Sequence, residues 1–126
     1  MQLTVDRTFL LQVAQQQIPG DPDVTDWGST AAAVARHSDE VMDKPVYPQP
    51  HHRAAALFHS LVRVPALEHS NGLFACAVAA GFLTACGLPC AVTTKAAISL
   101  VERTASGELD VRQVADELRT WTETER

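Results

Sequence analysis

Arg63-Val64-Pro65-Ala66-Leu67-Glu68-His69-Ser70-Asn71-Gly72-Leu73-Phe74, followed by an apolar run to Cys86-Gly87-Leu88, is the segment around which the chain is organised. Proline has no amide hydrogen and clashes with the preceding turn, so a helix arriving from the amino side ends before Pro65. A second helix starts just after. Ser70 or Asn71 is suited to cap it, since a short polar oxygen there accepts from the first free amides. From Leu73 to Cys86 the residues are Phe, Leu, Val, Ala, Gly and Cys, with Thr84 the one hydroxyl. A helix apolar on every side belongs in the middle of a domain. Gly87 ends it by allowing a left-handed residue past the last turn. Polar residues are thereby delivered to the amino end of a buried helix, where unpaired amides and the helix dipole favour an anion. Ser70, Asn71 and Gly72 are the candidate phosphate-binding residues.

Around this centre the chain has 126 residues, the size of one ordinary domain with one core. Hydrophobic residues make up 46% and charged ones 20%, a balance that folds rather than staying disordered. A formal charge of -5 without a basic patch argues against a general nucleic-acid binder, whose affinity comes from neutralising phosphates. The uncharged run from Ser70 to Thr94 is interrupted by Asn71, Gly81, Gly87 and Pro89, and its apolar helix covers about 14 residues against roughly 20 for a bilayer. A core helix is expected, not a membrane span. Cys76, Cys86 and Cys90 make an odd count, which fits a reduced, cytoplasmic protein with no disulfides. A metal site of Cys86 and Cys90 with His51 or His52 would not follow any paired zinc-ligand spacing, so no metal is expected.

In chain order, Thr4 can cap a first helix over Val5 to Gln16. Ile18-Pro19-Gly20-Asp21-Pro22-Asp23 is a loop, and Thr25 or Asp26 starts a second helix to His37 with Trp27 as a core anchor. From Ser38 to Pro50 the periodicity disappears among prolines and acids, and an extended excursion or irregular hairpin is expected. A third helix runs from His51 to Val64 on a stripe of Ala55, Leu57, Phe58, Leu61 and Val62. His51, His52 and Arg53 stand in its first turn, where positive charge is unfavourable, so they are either neutral and exposed or held by an acidic neighbour. His59 reads as a satisfied or surface histidine. After Leu88-Pro89-Cys90, Thr93 or Thr94 caps a fifth helix that stops near Gly107. Asp110 with Gln113 forms a capping box for a last helix through Val111, Val114, Leu118 and Trp121, and Thr122 to Arg126 should fray. The expectation is an all-α bundle of about six helices around a central apolar helix, with one irregular flap, in a single domain over residues 1–126.

These residues also carry a resemblance. His59-Ser60-Leu61-Val62-Arg63 followed by Pro65 to Leu73 resembles the signature region of the Fic/Doc family, in which a helix leads into His-x-Phe-x-(Asp or Glu)-Gly-Asn-x-Arg and then a central helix. Pro19 to Gly28 is similar to the segment before that family's second helix. Tyr47-Pro48 with Ala54 to Leu57 resembles the end of its flap and the helix that follows, and Ser106 to Asp110 the turn before its last helix. The resemblance implies a Fic/Doc-like helical bundle. In active members it implies transfer of AMP or phosphate from ATP, with magnesium, to a protein hydroxyl.

In the register set by His59, the family's catalytic histidine falls on Pro65 and its aromatic anchor on Leu67. The magnesium-holding acid falls on His69 and the following glycine on Ser70. Asn71 matches the family's asparagine, Gly72 matches one branch of it, and the phosphate-clamping arginine falls on Leu73. Shifting the frame by one puts Glu68 at the acidic position but breaks the match at Asn71. Glu68 and His69 as an unrelated acid and base pair is the other chemical reading, against plain helix capping. The resemblance thus implies a toxin component of a bacterial toxin-antitoxin module whose altered motif no longer supports transfer, with no cofactor retained and a cognate antitoxin as partner. The alternative is a non-catalytic interaction module, possible also as a homo-oligomer, in which Val46 and Tyr47 of the excursion or the acidic carboxyl end meet a protein partner. Neither nucleic acid nor membrane is expected to bind.

Overall fold

The computed structural model describes residues 3–123 and places along them α1 (Arg7–Gln17), α2 (Trp27–His37), β1 (Glu40–Val41), β2 (Lys44–Pro45), α3 (Pro50–Arg63), α4 (Asn71–Ala85), α5 (Thr94–Ala105) and α6 (Val111–Thr122). The architecture is all-α with one short antiparallel hairpin that pairs Glu40 with Pro45 and Val41 with Lys44. Short acceptors set most of the helix starts. Asp26 accepts from Ser29 N at α2, Thr93 from Ala96 N at α5, and Asp110 and Gln113 close a reciprocal capping box at α6. Pro50 occupies the first turn of α3, where its missing amide hydrogen is no loss. Gly87 and Gly107, at φ 83° and 84°, end α4 and α5. Leu88 N reaches Leu83 O at 2.8 Å and Glu108 N reaches Arg103 O at 3.1 Å, the long closing bonds of the Schellman motif.

The first helix begins two residues later than Thr4 would place it. Its cap is Asp6, which accepts from Phe9 N at 3.1 Å, while the Val5 amide before it donates to His37 Nε2 at 3.1 Å. Trp27, expected in the core, is 52% exposed. The buried side of α2 is Ser29, Thr30, Ala33 and His37, and Trp27 lies off that stripe. The buried tryptophan is Trp121, edge-on to Phe58 with ring centroids 6.5 Å apart. The fraying expected at the carboxyl end falls for residues 124–126 outside the described residues, while Thr122 closes α6.

The centre of the bundle is the α3 and α4 pair. α3 packs against α2, α4, α5 and α6, and every residue from Arg53 to Phe58 is buried. α4, expected to be the enclosed rod, packs on α1, α3 and α5 and leaves one side open: Leu73 is 51% exposed, and Cys76, Ala77 and Ala80 are half-buried. Its apolarity on all sides comes from small residues, one file of which faces a groove instead of core. No helix among the described residues is long and apolar enough to cross a membrane.

Arg53 departs from expectation in another way. No acid holds it. Its Nη1 donates to the carbonyls of Tyr47 at 3.1 Å and Pro48 at 2.6 Å, its guanidinium lies 5.9 Å from the Phe82 ring centre, and its Nε has no partner. A cation buried in this way fastens the segment after the hairpin to the core through backbone oxygens. His51 and His52 turn toward α6, with His51 Nε2 2.8 Å from Thr122 Oγ1 and His52 Nε2 3.4 Å from Arg119.

Buried His37 ties α2 to the amino-terminal segment. A carbonyl only accepts and an amide only donates, so Nδ1 carries the hydrogen given to Val34 O, and Nε2 accepts from Val5 N. Its ring stands edge-on to Phe82 at 5.9 Å. Burial, and secondarily the charge of Arg53, holds the His37 pKa below the ordinary histidine value; burial acts the same way first on His51, His52 and His59. The folded chain therefore refuses protons that the unfolded chain takes up. Stability from these groups is whole above about pH 6.5 and is lost as pH falls toward their lowered folded values. Thermal melts should drop below that point, ahead of the carboxylate range. His37→Gln should melt lower at neutral pH and show a shallower acid slope, and an unchanged slope would remove His37 from this account.

Candidate functional site

The turn between α3 and α4 is built around one side chain. Asn71 Oδ1 accepts from Ala66 N at 3.0 Å and Leu67 N at 2.9 Å, while its Nδ2 donates to Leu67 O at 2.9 Å. A carboxamide matches a peptide edge in this way because it offers an acceptor and a donor side by side. To reach back, the chain turns through Ser70 in the left-handed region, at φ 63°. Ser70 precedes α4 without a side-chain bond to the helix amides; its Oγ pairs with His69 Nδ1 at 2.8 Å instead. A β-carbon on Gly72 would meet Val101 Cγ1 at 2.9 Å, so the glycine is what allows α4 to abut α5 at its first turn.

A second segment holds the same turn from the other side. Val24 and Leu67 form an antiparallel bridge, Thr25 N and Asp26 N donate to Ala66 O at 2.8 and 3.1 Å, and Glu68 N donates to Asp23 O at 3.0 Å. Glu68 Oε1 accepts from Asp23 N at 3.0 Å. Local patterns give no sign of this pairing. Pro22 to Asp26 reads as turn and cap, and only its extended stretch between a proline and an N-cap hints at a strand-like contact.

Of the residues singled out beforehand, Pro65, Leu67, His69, Ser70, Asn71, Gly72 and Leu73 share this turn and the first turn of α4, but their groups do not converge. Leu67 is buried as the apolar anchor of the loop. Glu68 reaches Asp23, while the His69 ring pairs with Ser70 and lies where a β-carbon on Gly20 would stand 3.3 Å away. The two are committed to separate partners and do not form an acid and base pair. Nor do His51 and His52 stand in for a base at Pro65. They begin α3, a helix of 14 residues, and Pro65 follows its end, a separation on the order of 20 Å at ~1.5 Å per residue. Among the described residues no three His, Cys, Asp or Glu side chains are grouped to hold a metal.

Of the partner-binding candidates, Val46 is 43% exposed but Tyr47 packs against the core, its carbonyl bound by Arg53. The most exposed apolar residues nearby were not singled out: Met42 is 91% and Val41 60% exposed. Met42 and Asp43 both adopt positive φ, 53° and 65°, as a two-residue turn twisted to fit its strands demands. Glycine or asparagine is the usual signal for such a turn, and neither is present.

The open side of α4 faces α5 across a groove of about 630 Å³. Leu73, Ala77 and Ala80 line one wall, Val92 and Ile98 the other, with Trp121 also contributing. Cys76 lines it as well, its thiol pushed up to about 11 by burial and therefore protonated at neutral pH.

Compared with protein-family models and with curated proteins, the chain matches none.

The pinning of the loop is open to measurement. Asn71→Ala leaves two amides of buried residues without acceptors and should lower stability by about 2–4 kcal/mol in urea unfolding. Asn71→Asp keeps both acceptor bonds and, once protonated, a donor to Leu67 O, so at acidic pH it should be less damaging than Asn71→Ala at the same pH. Equal losses would mean that the side chain is not recognised as drawn.

Proposed function

We propose that the chain is the toxin component of a bacterial toxin-antitoxin module, built on a Fic/Doc-like scaffold, that no longer transfers AMP or phosphate. One observation carries the reading: the asparagine retained from the motif turns both the oxygen and the nitrogen of its carboxamide onto the loop's own backbone, while the positions that would do chemistry hold groups that cannot. Pro65 accepts no proton. His69 offers an imidazole, a poor ligand for a hard, oxygen-seeking cation, and it is turned to Ser70. Leu73 has no charge to grip a phosphate. The loop residues do not fit a magnesium nucleotide. A missing general base alone removes roughly two to four powers of ten in rate, and a missing charge clamp removes several kcal/mol more of transition-state stabilisation.

What remains is a folded surface for a protein partner. The groove between α4 and α5, with Leu73 and Ile98 51% and 52% exposed, supports an antitoxin that seats an apolar segment. A second reading, a non-catalytic interaction module with no antitoxin, is favoured by the hairpin tip, where Val41, Met42 and Val46 present apolar side chains beside an unpaired strand edge.

Incubated with magnesium, bacterial lysate and ATP labelled on the α or γ phosphate, the protein should transfer no label; a labelled band dependent on it overturns the proposal. Co-expressed with the product of a small adjacent reading frame, it should form a complex without nucleotide. That complex should be lost on Leu73→Asp with Ile98→Asp and kept on Met42→Ser with Val46→Ser. The opposite pattern selects the second reading.

A further inference from the structure

Arg36 on α2 and Arg63 at the end of α3 line a single cleft of about 300 Å³ together with Asp26, Ser29, His59 and Ser60. The chain carries 15 acidic residues, yet among the described residues the ion pairs engage only Arg103 and Arg119. Arg36 and Arg63 have no carboxylate partner. Asp26, the one acid on the cleft, already accepts from Ser29 N at 3.0 Å as the cap of α2.

The hydrogen bonds around the cleft leave donors over and few acceptors. Arg36 Nη1 donates to His59 Nδ1 at 3.0 Å and to Ser60 Oγ at 3.2 Å. A guanidinium only donates, so His59 Nδ1 is an acceptor and the ring is neutral. Ser60 accepts from Arg36 and retains its own hydroxyl proton. Arg63 Nη1 donates to Ala105 O at 2.7 Å at the carboxyl end of α5. The Nε and Nη2 groups of both arginines meet no acceptor among the described residues. Ser29 Oγ donates to Val64 O and closes the floor.

We propose that this cleft binds the phosphoryl group of a small phosphate monoester, or free phosphate, with Arg36 and Arg63 supplying charge and planar donor pairs and Ser60 a third donor. A carboxylate has two oxygens, fewer than these donors can serve, whereas a phosphoryl group offers three terminal oxygens around one centre. The volume lies at the lower end of small-ligand pockets, in keeping with a small monoester. The assignment does not depend on the toxin reading, because it uses none of the residues from Pro65 to Leu73.

The test is an amide-shift NMR titration of the ¹⁵N-labelled chain with sodium phosphate, glycerol 3-phosphate and AMP, at constant ionic strength in chloride and above the histidine titration range. Amides of Ser29, His59 and Ser60 should shift and saturate. Arg36→Gln and Arg63→Gln should each weaken binding about tenfold or more, the size expected when a charge-assisted bond is lost. Ser60→Ala, which leaves both arginines and the helix intact, should weaken it less, and Lys95→Gln on α5 should not change it. Tighter binding of an ester than of phosphate identifies that ester class as the source, and equal binding identifies free phosphate. Shifts that never saturate, or that survive unchanged in both Arg36→Gln and Ser60→Ala, overturn the proposal.

Discussion

The three hydrogen bonds between the Asn71 side chain and the backbone of Ala66 and Leu67 fix how α3 hands the chain to α4, and the rest of the bundle follows from that junction. Backbone groups in a buried turn must find partners or be left at a cost of a kcal/mol or more each. Here one carboxamide satisfies three of them, and the segment from Asp23 to Asp26 satisfies much of the remainder. With the turn held, Phe58 of α3 and Phe74 and Phe82 of α4 are all buried in one core. The left-handed Ser70 is the strained residue that lets Asn71 point backward, and the core packing beyond it offsets that strain.

Three cationic or titratable side chains are spent on backbone groups. Arg53 binds carbonyls of the segment after the hairpin, His37 bridges an amide and a carbonyl, and Arg63 reaches the last carbonyls of α5. Each of these side chains replaces a missing helix or sheet partner. An arginine at the end of a helix also meets the negative end of its dipole, so Arg63 stabilises α5 without a carboxylate. In an acidic chain this use of cations on carbonyls leaves the acids at helix starts and on the surface, where Asp6, Asp26 and Asp110 cap.

Where a local rule governed, the sequence was legible. Asp110 and Gln113 announced their capping box, Gly87 and Gly107 their left-handed stops, and the prolines around Ser38 to Pro50 an irregular hairpin. What could not be read from local pattern was set by tertiary partners. Asp6 and not Thr4 caps the first helix, and the Val5 amide before it goes to a histidine 32 residues away, a partner no local pattern shows. Trp27 looked like an anchor because tryptophan is large, but burial follows the helical stripe, and on α2 that stripe holds serine, threonine, alanine and histidine. At the candidate site the asparagine was visible as a polar group at a helix start. Its actual duty, facing backward onto the loop, depends on a left-handed serine that no spacing rule signals.

The open side of α4 is the most instructive, since it exposes a difference between apolar and enclosed. Its small residues make a helix with no polar face, and such a helix has no orientational preference of its own; its neighbours decide which side is covered. Gly72 permits contact with Val101 at the first turn, and the pinned loop sets the direction from there. From that contact onward α4 and α5 leave a groove between them, and Ala77 and Ala80 line it where bulkier side chains would have filled it. The groove is thus a consequence of the same composition that suggested a buried rod. A helix made of alanine and glycine closes tightly where it is forced together and leaves space wherever it is not.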